Sequence, residues 1–287
     1  MKPFIKLLRV HQWIKNLFVF LPLFFAGEFL NVEGLKGAFL AFLAFSLTSS
    51  IIYILNDYKD IEKDKLHPVK KHRPLANGSI SKKTGLLLIL PLTVAIILLA
   101  RYNFSLISTL PLALYFVLNL LYTFALKTVA ILDVAIIAIG FVLRVVFGGL
   151  VTAIFVSKWA LLLTFSLALV LALGKRRGEL VSTNNEARFS LQGYNLQFID
   201  TALTITVAIT LVCYIMYTIS PDVVVGFGSE YVYATTLFVL LGLLRYLQQT
   251  IVFNKTESPT KFVYKDLFVQ LMIVCWILSF VLIIYYK

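Results

Sequence analysis

The sequence predicts an all-α integral membrane protein of nine transmembrane helices with its N-terminus in the cytoplasm, and three observations predict it. Sixty per cent of the 287 residues are apolar and 14% are charged, against about a quarter charged in a soluble domain. Apolar runs long enough to cross a bilayer recur along the whole length. The cations are sorted between the loops, with 21 of the 26 Lys and Arg residues on one side.

The nine segments run roughly 16–32, 36–56, 84–101, 104–124, 129–151, 157–173, 197–219, 231–250 and 267–286. Pro22 and Gly27 interrupt the first, which leaves a re-entrant or interfacial path open for it. Cations before segment one (Lys2, Lys6, Arg9, Lys15) share a side with eight after segment two, from Lys59 to Lys83. Lys127 follows segment four, Lys175, Arg176, Arg177 and Arg188 follow segment six, and Arg245, Lys255, Lys261 and Lys265 lie around the loop after segment eight. The other side holds Lys36, Arg101, Lys158 and Lys287, and Arg144 lies within segment five. Basic loops stay in the cytoplasm, so the N-terminus is inside and the C-terminus outside. The net charge of +12 therefore reports orientation in a membrane, with no nucleic-acid partner implied. No small-residue cleavage site follows the basic N-terminus. Cys213 and Cys275 are isolated in apolar runs and suggest neither a disulfide nor a metal site.

Little length is left for a separate soluble domain. Residues 1–287 read as a single transmembrane catalytic domain, with cytoplasmic motif loops at about 57–83, 124–128, 174–196 and 251–266. The outer loops are short and nearly featureless. A lipid or ion transporter would carry polar groups along a path through the membrane. Here they gather on one side, which favours an enzyme that takes one substrate from the cytosol and one from lipid.

After segment two the chain reads Asn56-Asp57-Tyr58-Lys59-Asp60-Ile61-Glu62-Lys63-Asp64. At 3.6 residues per turn, Asn56, Asp60 and Asp64 fall in one row with Asp57 beside it. Alone, such a row is usually a solvated helix end. At the mouth of a basic-looped membrane protein it is a candidate Mg²⁺ site, since carboxylates that repel one another tolerate a hard divalent cation. Pro68 and Pro74 close the following loop, Asn77-Gly78 marks a turn and Ser81 an N-cap. Lys70 and Arg73 are candidate phosphate ligands; Lys71, Lys82 and Lys83 suit anionic lipid. His67, before a proline, is read as structural.

Three further stretches carry polar groups. Gln12, Trp13, Lys15 and Asn16 enter segment one, where donors could meet a ligand or lipid headgroups. Tyr122 and Lys127 end segment four, and Asp133, Gly140 and Arg144 share a face of segment five. Arg144 could face a wet cavity or snorkel to the outer interface. Segment six ends Gly174-Lys175-Arg176-Arg177-Gly178-Glu179, where Lys175 and Arg176 each reach Glu179 at helical spacing. That cluster is either a juxtamembrane anchor or a phosphate-binding wall.

The row Asn56-Asp57-x-x-Asp60-x-x-x-Asp64 resembles the first acidic motif of the UbiA superfamily of intramembrane prenyltransferases. Tyr122-Thr-Phe-x-Leu-Lys127, Leu132-Asp133 and Gly140-Phe-x-Leu-Arg144 are similar to that family too, so the resemblance covers nearly the whole chain. It implies a UbiA-like bundle of nine helices around a lateral lipid-open cavity, with Mg²⁺-bound pyrophosphate at the cytoplasmic end. One departure matters. Typical prenyl-transferring members carry a second acidic motif after the sixth helix, and this chain has Gly174 to Glu179 with one acid and three cations. His67-Pro68-x-Lys70-x-x-Arg73-Pro74 and Gln12-Trp13-x-Lys15-Asn16 look most like the polyprenyl-phosphate phosphoribosyltransferase branch. The resemblance then implies transfer of 5-phosphoribosyl from phosphoribosyl pyrophosphate to a membrane polyprenyl phosphate. Asn56, Asp57, Asp60 and Asp64 would hold Mg²⁺-pyrophosphate. Lys15, Lys70, Arg73, Lys127, Lys175 and Arg176 would orient the phosphates. Asp133 would bind the ribose or position Tyr122 and Lys127. The alternative is a prenyltransferase using polyprenyl pyrophosphate and an aromatic or other acceptor. Chain length of the lipid and homo-oligomerisation stay open.

Overall fold

Side-chain caps start several helices where the sequence changes from polar to apolar. The computed structural model describes residues 2–182, 189–254 and 265–285, and its regular elements among them are all helical. They are α1 Lys2–Leu8, a 3-10 helix Val10–Phe20, α2 Leu21–Phe25, α3 Val32–Lys59, α4 Ile61–Leu66 and a short 3-10 turn Lys70–His72. Next come α5 Lys82–Leu87, α6 Ile89–Asn103, α7 Leu106–Phe124, α8 Leu132–Thr152, α9 Lys158–Ser182 and α10 Leu196–Thr218. Last are α11 Pro221–Phe227, α12 Thr236–Leu247 and α13 Leu267–Tyr285, with shorter 3-10 and π turns between. Asn31 accepts from the Glu33 and Gly34 amides to start α3. Ser81 accepts from the Thr84 amide at 3.0 Å to start α5, as its position predicts. Gly78 takes φ 76 and Asn77 accepts from the Ser79 amide, which makes the predicted turn.

Seven helices among the described residues are long and apolar enough to cross a membrane: Val32–Lys59, Lys82–Asn103, Leu106–Phe124, Leu132–Thr152, Lys158–Ser182, Leu196–Thr218 and Glu230–Val252. They match expected segments two to eight. A shorter apolar helix, Leu267–Ile283, stands at the ninth. The first segment differs from the expected span. It is a 3-10 helix followed by five residues of α-helix, with Pro22 at the start of α2 and Gly27 at φ 69 just after it. A proline and a left-handed glycine prevent one continuous helix there. A second difference is α9, which runs to Ser182. Gly174 to Glu179 therefore lie within a helix and not in a loop. Arg188, Lys255, Lys261 and Lys287 lie outside the described residues.

The chain divides into two compact units. The first comprises residues 1–124 and 143–155, the second 125–142 and 156–287. In the first, Leu7, Ile54, Ile61, Leu75 and Ile80 form a buried cluster that joins α1, the end of α3, α4 and the loop before α5. That cluster fixes the backbone on both sides of the acidic row. The 3-10 helix packs against α3 through Trp13 Nε1 to Ser50 Oγ at 3.1 Å and Asn16 Nδ2 to Ser46 Oγ at 3.0 Å. It also passes so close to α8 that a Cβ on Gly148 would collide with the Val19 carbonyl. In the second unit, Val134, Val170, Leu173, Leu191, Tyr194 and Ile199 belong to one core with Leu203 and Tyr246.

Candidate functional site

The acidic row straddles a helix break. α3 ends at Lys59, and Asp60 sits at φ −96, ψ 9 before α4 begins. The hydrogen bonding stays helical across the break: Asp60 N donates to Asn56 O at 3.0 Å and Asp64 N to Asp60 O at 2.8 Å. Asp57 and Asp64 are buried, while Asn56 and Asp60 are half-buried. Glu62 points away into solvent, where Lys65 at 3.0 Å and then Lys82 hold its carboxyl below the usual range.

Arg73 ties the buried acids together. Its Nη1 lies 3.1 Å from Asp57 Oδ1 and 2.6 Å from Asp64 Oδ2. Arg9 reaches the same Asp57 oxygen from the turn between α1 and the 3-10 helix. The position of Arg73 follows from its loop. His67 Nδ1 accepts from the amides of Val69 at 3.1 Å and Lys70 at 3.3 Å, which agrees with a structural role. Pro74, Leu75 and Ala76 are buried behind Arg73. Lys70 is exposed on this loop. Lys59 turns the other way, donating to the Thr123 and Phe124 carbonyls at 2.9 Å.

Asn16 and Arg144 belong to a separate cluster of the first unit. Arg144 Nε donates to Asn16 Oδ1 at 2.8 Å and Nη2 to Tyr115 Oη at 3.0 Å. The guanidinium lies over the Phe45 and Tyr115 rings. Arg144 is thus buried in the interior instead of snorkelling to an interface. Ser46, the other partner of Asn16, precedes Asp57 by eleven residues on α3, about 16 Å at 1.5 Å per residue. Gln12, Lys15 and Tyr122 are half-buried.

In the second unit, Asp133 is fully buried and anchors a network. Tyr194 Oη donates to Asp133 Oδ1 at 2.8 Å and accepts from the Ile131 amide at 2.6 Å. Burial, and then the neighbouring Asp133 carboxylate, push the Tyr194 phenol up to about 12 despite the Ile131 hydrogen bond, so it stays a donor. Ile131 has φ 70, a left-handed conformation that is rare for a β-branched residue. Arg176 Nε lies 2.8 Å from Asp133 Oδ2, an ion-pair distance without hydrogen-bond alignment. Arg176 also pairs with Glu179. Its side chain is 1% exposed, so the expected phosphate-facing cation is an interior one. A charge so fully buried needs fixed countercharges, and Asp133 and Glu179 supply them. Lys175 is exposed beside Glu179 at 3.7 Å. Lys127 is half-buried.

Three residues with clear roles were not singled out from sequence. Arg9 counted only as one cation in a basic N-terminus. Tyr194 had no spacing to connect it with Asp133. Arg177 donates to Asp200 at 2.5 Å and to the Thr250 carbonyl at 2.6 Å, so it fastens α9 to α10 and to the turn after α12.

Residues 17–272 match the model of the UbiA prenyltransferase family. The decaprenyl-phosphate phosphoribosyltransferase of Mycolicibacterium smegmatis is 32% identical over 291 residues, covering 95% of this chain and 89% of that protein. The protein of the same description from Corynebacterium glutamicum is 26% identical over 289 residues, covering 98% and 86%. The fold is similar to that of a UbiA homolog from Archaeoglobus fulgidus bound to GPP and Mg²⁺, with a TM-score of 0.71 at 16% identity, covering 98% and 99% of the two chains.

Proposed function

Because the chain belongs to the UbiA prenyltransferase family and is a transferase, we propose that it moves 5-phosphoribosyl from phosphoribosyl pyrophosphate to a polyprenyl monophosphate in the membrane. The bond from ribose C1 to the pyrophosphate oxygen breaks, and a bond from C1 to a lipid phosphate oxygen forms. Pyrophosphate leaves with the electron pair. The attacking oxygen is already anionic at neutral pH, so the reaction asks for no strong general base.

The observation that carries this reading is Arg73 between Asp57 and Asp64. One guanidinium and two buried carboxylates present cation-binding and anion-binding groups within a few ångströms. A metal-bound pyrophosphate needs both. The donor set fits Mg²⁺, since it is all oxygen. Among the described residues no three acids or histidines converge into a ready-made metal cage. Mg²⁺ is usually bound by one or two carboxylates, with water and substrate phosphate filling its shell. Asp57 and Asp64 would hold it, with Asp60 and Asn56 beside them. When bound, it would neutralise charge developing on the leaving pyrophosphate.

Arg73 and Lys70 orient the pyrophosphate by charge-assisted hydrogen bonds. Lys127 and Lys175 stay candidate phosphate ligands by their chemistry, whereas Asp133, fully buried and held by Tyr194 and Arg176, serves the interior of the second unit. The positive-inside count supports a cytoplasmic active site and an N-terminus on that side. At Gly174 to Glu179 the exposed cation is Lys175, since Arg176 and Arg177 are held by Asp133, Glu179 and Asp200; a cation where typical prenyl-transferring members carry paired acids favours phosphoribosyl over prenyl transfer. The purified protein is tested with polyprenyl monophosphate and with polyprenyl pyrophosphate. Pyrophosphate release that requires phosphoribosyl pyrophosphate and the monophosphate supports the proposal. Release from polyprenyl pyrophosphate with an aromatic acceptor would replace it by prenyl transfer.

A further inference from the structure

Arg9 lies outside every motif that the sequence marks, yet it meets the most buried carboxylate of the acidic row. Its Nη2 donates to Asp57 Oδ1, the oxygen that Arg73 Nη1 approaches at 3.1 Å. The Asp57 side chain is 2% exposed, while those of Arg9 and Arg73 keep 19% and 24%. One buried acceptor thus carries two cations that reach solvent. Asp64, on Arg73, makes the local balance two carboxylates against two guanidiniums.

The backbone of Arg9 is held for this contact. It takes φ 50, ψ 46, a left-handed conformation that is strained for an ordinary residue and gathers at functional sites. Arg9 N donates to Lys6 O at 3.2 Å and Gln12 N to Arg9 O at 2.7 Å. Ser50 Oγ donates to the preceding carbonyl, Leu8 O, at 2.9 Å. The guanidinium lies 4.8 Å from the centroid of the Tyr53 ring, one helical turn before Asp57 on α3. That ring attracts the cation independently of the carboxylate.

We infer that Arg9 is a positioning residue that changes partners when the donor binds: it holds Asp57 beforehand and moves to a phosphate oxygen as Asp57 turns to the cation. The inference rests on the reading of the acidic row as the donor site. A divalent cation alone has to compete with Arg9 and Arg73 for Asp57. A cation arriving with pyrophosphate brings the anion that receives the guanidiniums. Cation and pyrophosphate therefore strengthen each other's binding, and by linkage equally.

The test is Mn²⁺ binding to the full chain in detergent, read by electron paramagnetic resonance with and without inorganic pyrophosphate. Wild type is expected to bind Mn²⁺ roughly tenfold more tightly with pyrophosphate, within the usual range of coupling. Arg9→Gln is expected to bind Mn²⁺ alone more tightly than wild type and to lose most of the enhancement. Arg9→Lys keeps the charge and retains part of it. Loss of protein fold weakens Mn²⁺ binding, so a gain in Arg9→Gln is a signature that a structural role does not produce. Synergy that persists in Arg9→Gln, or weaker Mn²⁺ binding in it, overturns the inference alone. Wild type that binds Mn²⁺ under neither condition overturns the donor-site reading itself.

Discussion

Arg73 stands 2.6 Å from Asp64 and so joins a residue of the loop before α5 to the first turns after α3. The same nitrogen contacts Asp57, so removing Arg73 strips a countercharge from two buried carboxylates. Arg73→Ala is predicted to destabilise the protein by about 1–3 kcal/mol, below the 3–5 typical of a fully buried pair because Arg73 is partly solvated. It is also predicted to lower kcat/KM for phosphoribosyl pyrophosphate by about a hundredfold, the order expected for a lost charged contact. Thermal unfolding and steady-state kinetics check the two effects separately. Unchanged kinetics would show that Arg73 serves the fold alone.

Tyr194→Phe removes the donor to Asp133 and the acceptor for the Ile131 amide. Leaving such buried groups unsatisfied costs about 1–3 kcal/mol. Detergent-solubilised protein should unfold at a lower temperature, with the variant still inserted in the membrane.

Gly148→Ala places a methyl group against the Val19 carbonyl, which is backbone and has no rotamer to change. Overpacking of this kind costs roughly 1–3 kcal/mol. Gly226 in α11 has open space around it, and Gly226→Ala is predicted to be neutral or stabilising by about 0.4–1 kcal/mol. Parallel unfolding measurements on the two variants separate close approach from a general effect of the substitution.

His11 has its pKa lowered from 6.5, first by partial burial and then by the charges of Arg9 and Lys15. A lowered pKa in the folded state means that the unfolded chain binds the proton more readily. The contribution is present above pH 6.5 and is lost as pH falls through the folded value. His11→Gln is predicted to flatten the decline in stability between pH 7 and 5, seen in unfolding scans at matched salt.

Much of the fold was legible because apolar runs are whole-chain signals. Segments two to eight appear as span-length helices for that reason. The first segment was less legible because Pro22 and Gly27 act through backbone geometry, which hydropathy does not register. At the site, the spacing of Asp57 and Asp64 and the loop position of Arg73 brought the same residues to attention that the structure joins. Arg9 was hidden because its partner lies 48 residues away and its backbone conformation is irregular. Arg176 looked like a surface cation because sequence shows a run of three cations but not that Arg176 and Arg177 are buried while Lys175 is exposed. Asp133 and Tyr194 meet only through tertiary packing, which no helical period encodes.

The most direct measurement follows labelled ribose from phosphoribosyl pyrophosphate into the lipid fraction, using purified protein, polyprenyl phosphate and Mg²⁺. Wild type is predicted to form a labelled phosphoribosyl lipid, to stop when the divalent cation is chelated, and to lose turnover in Asp60→Ala and Asp64→Ala while both variants still insert. Absence of labelled lipid from wild type under every condition, or full activity in both aspartate variants, would contradict the account.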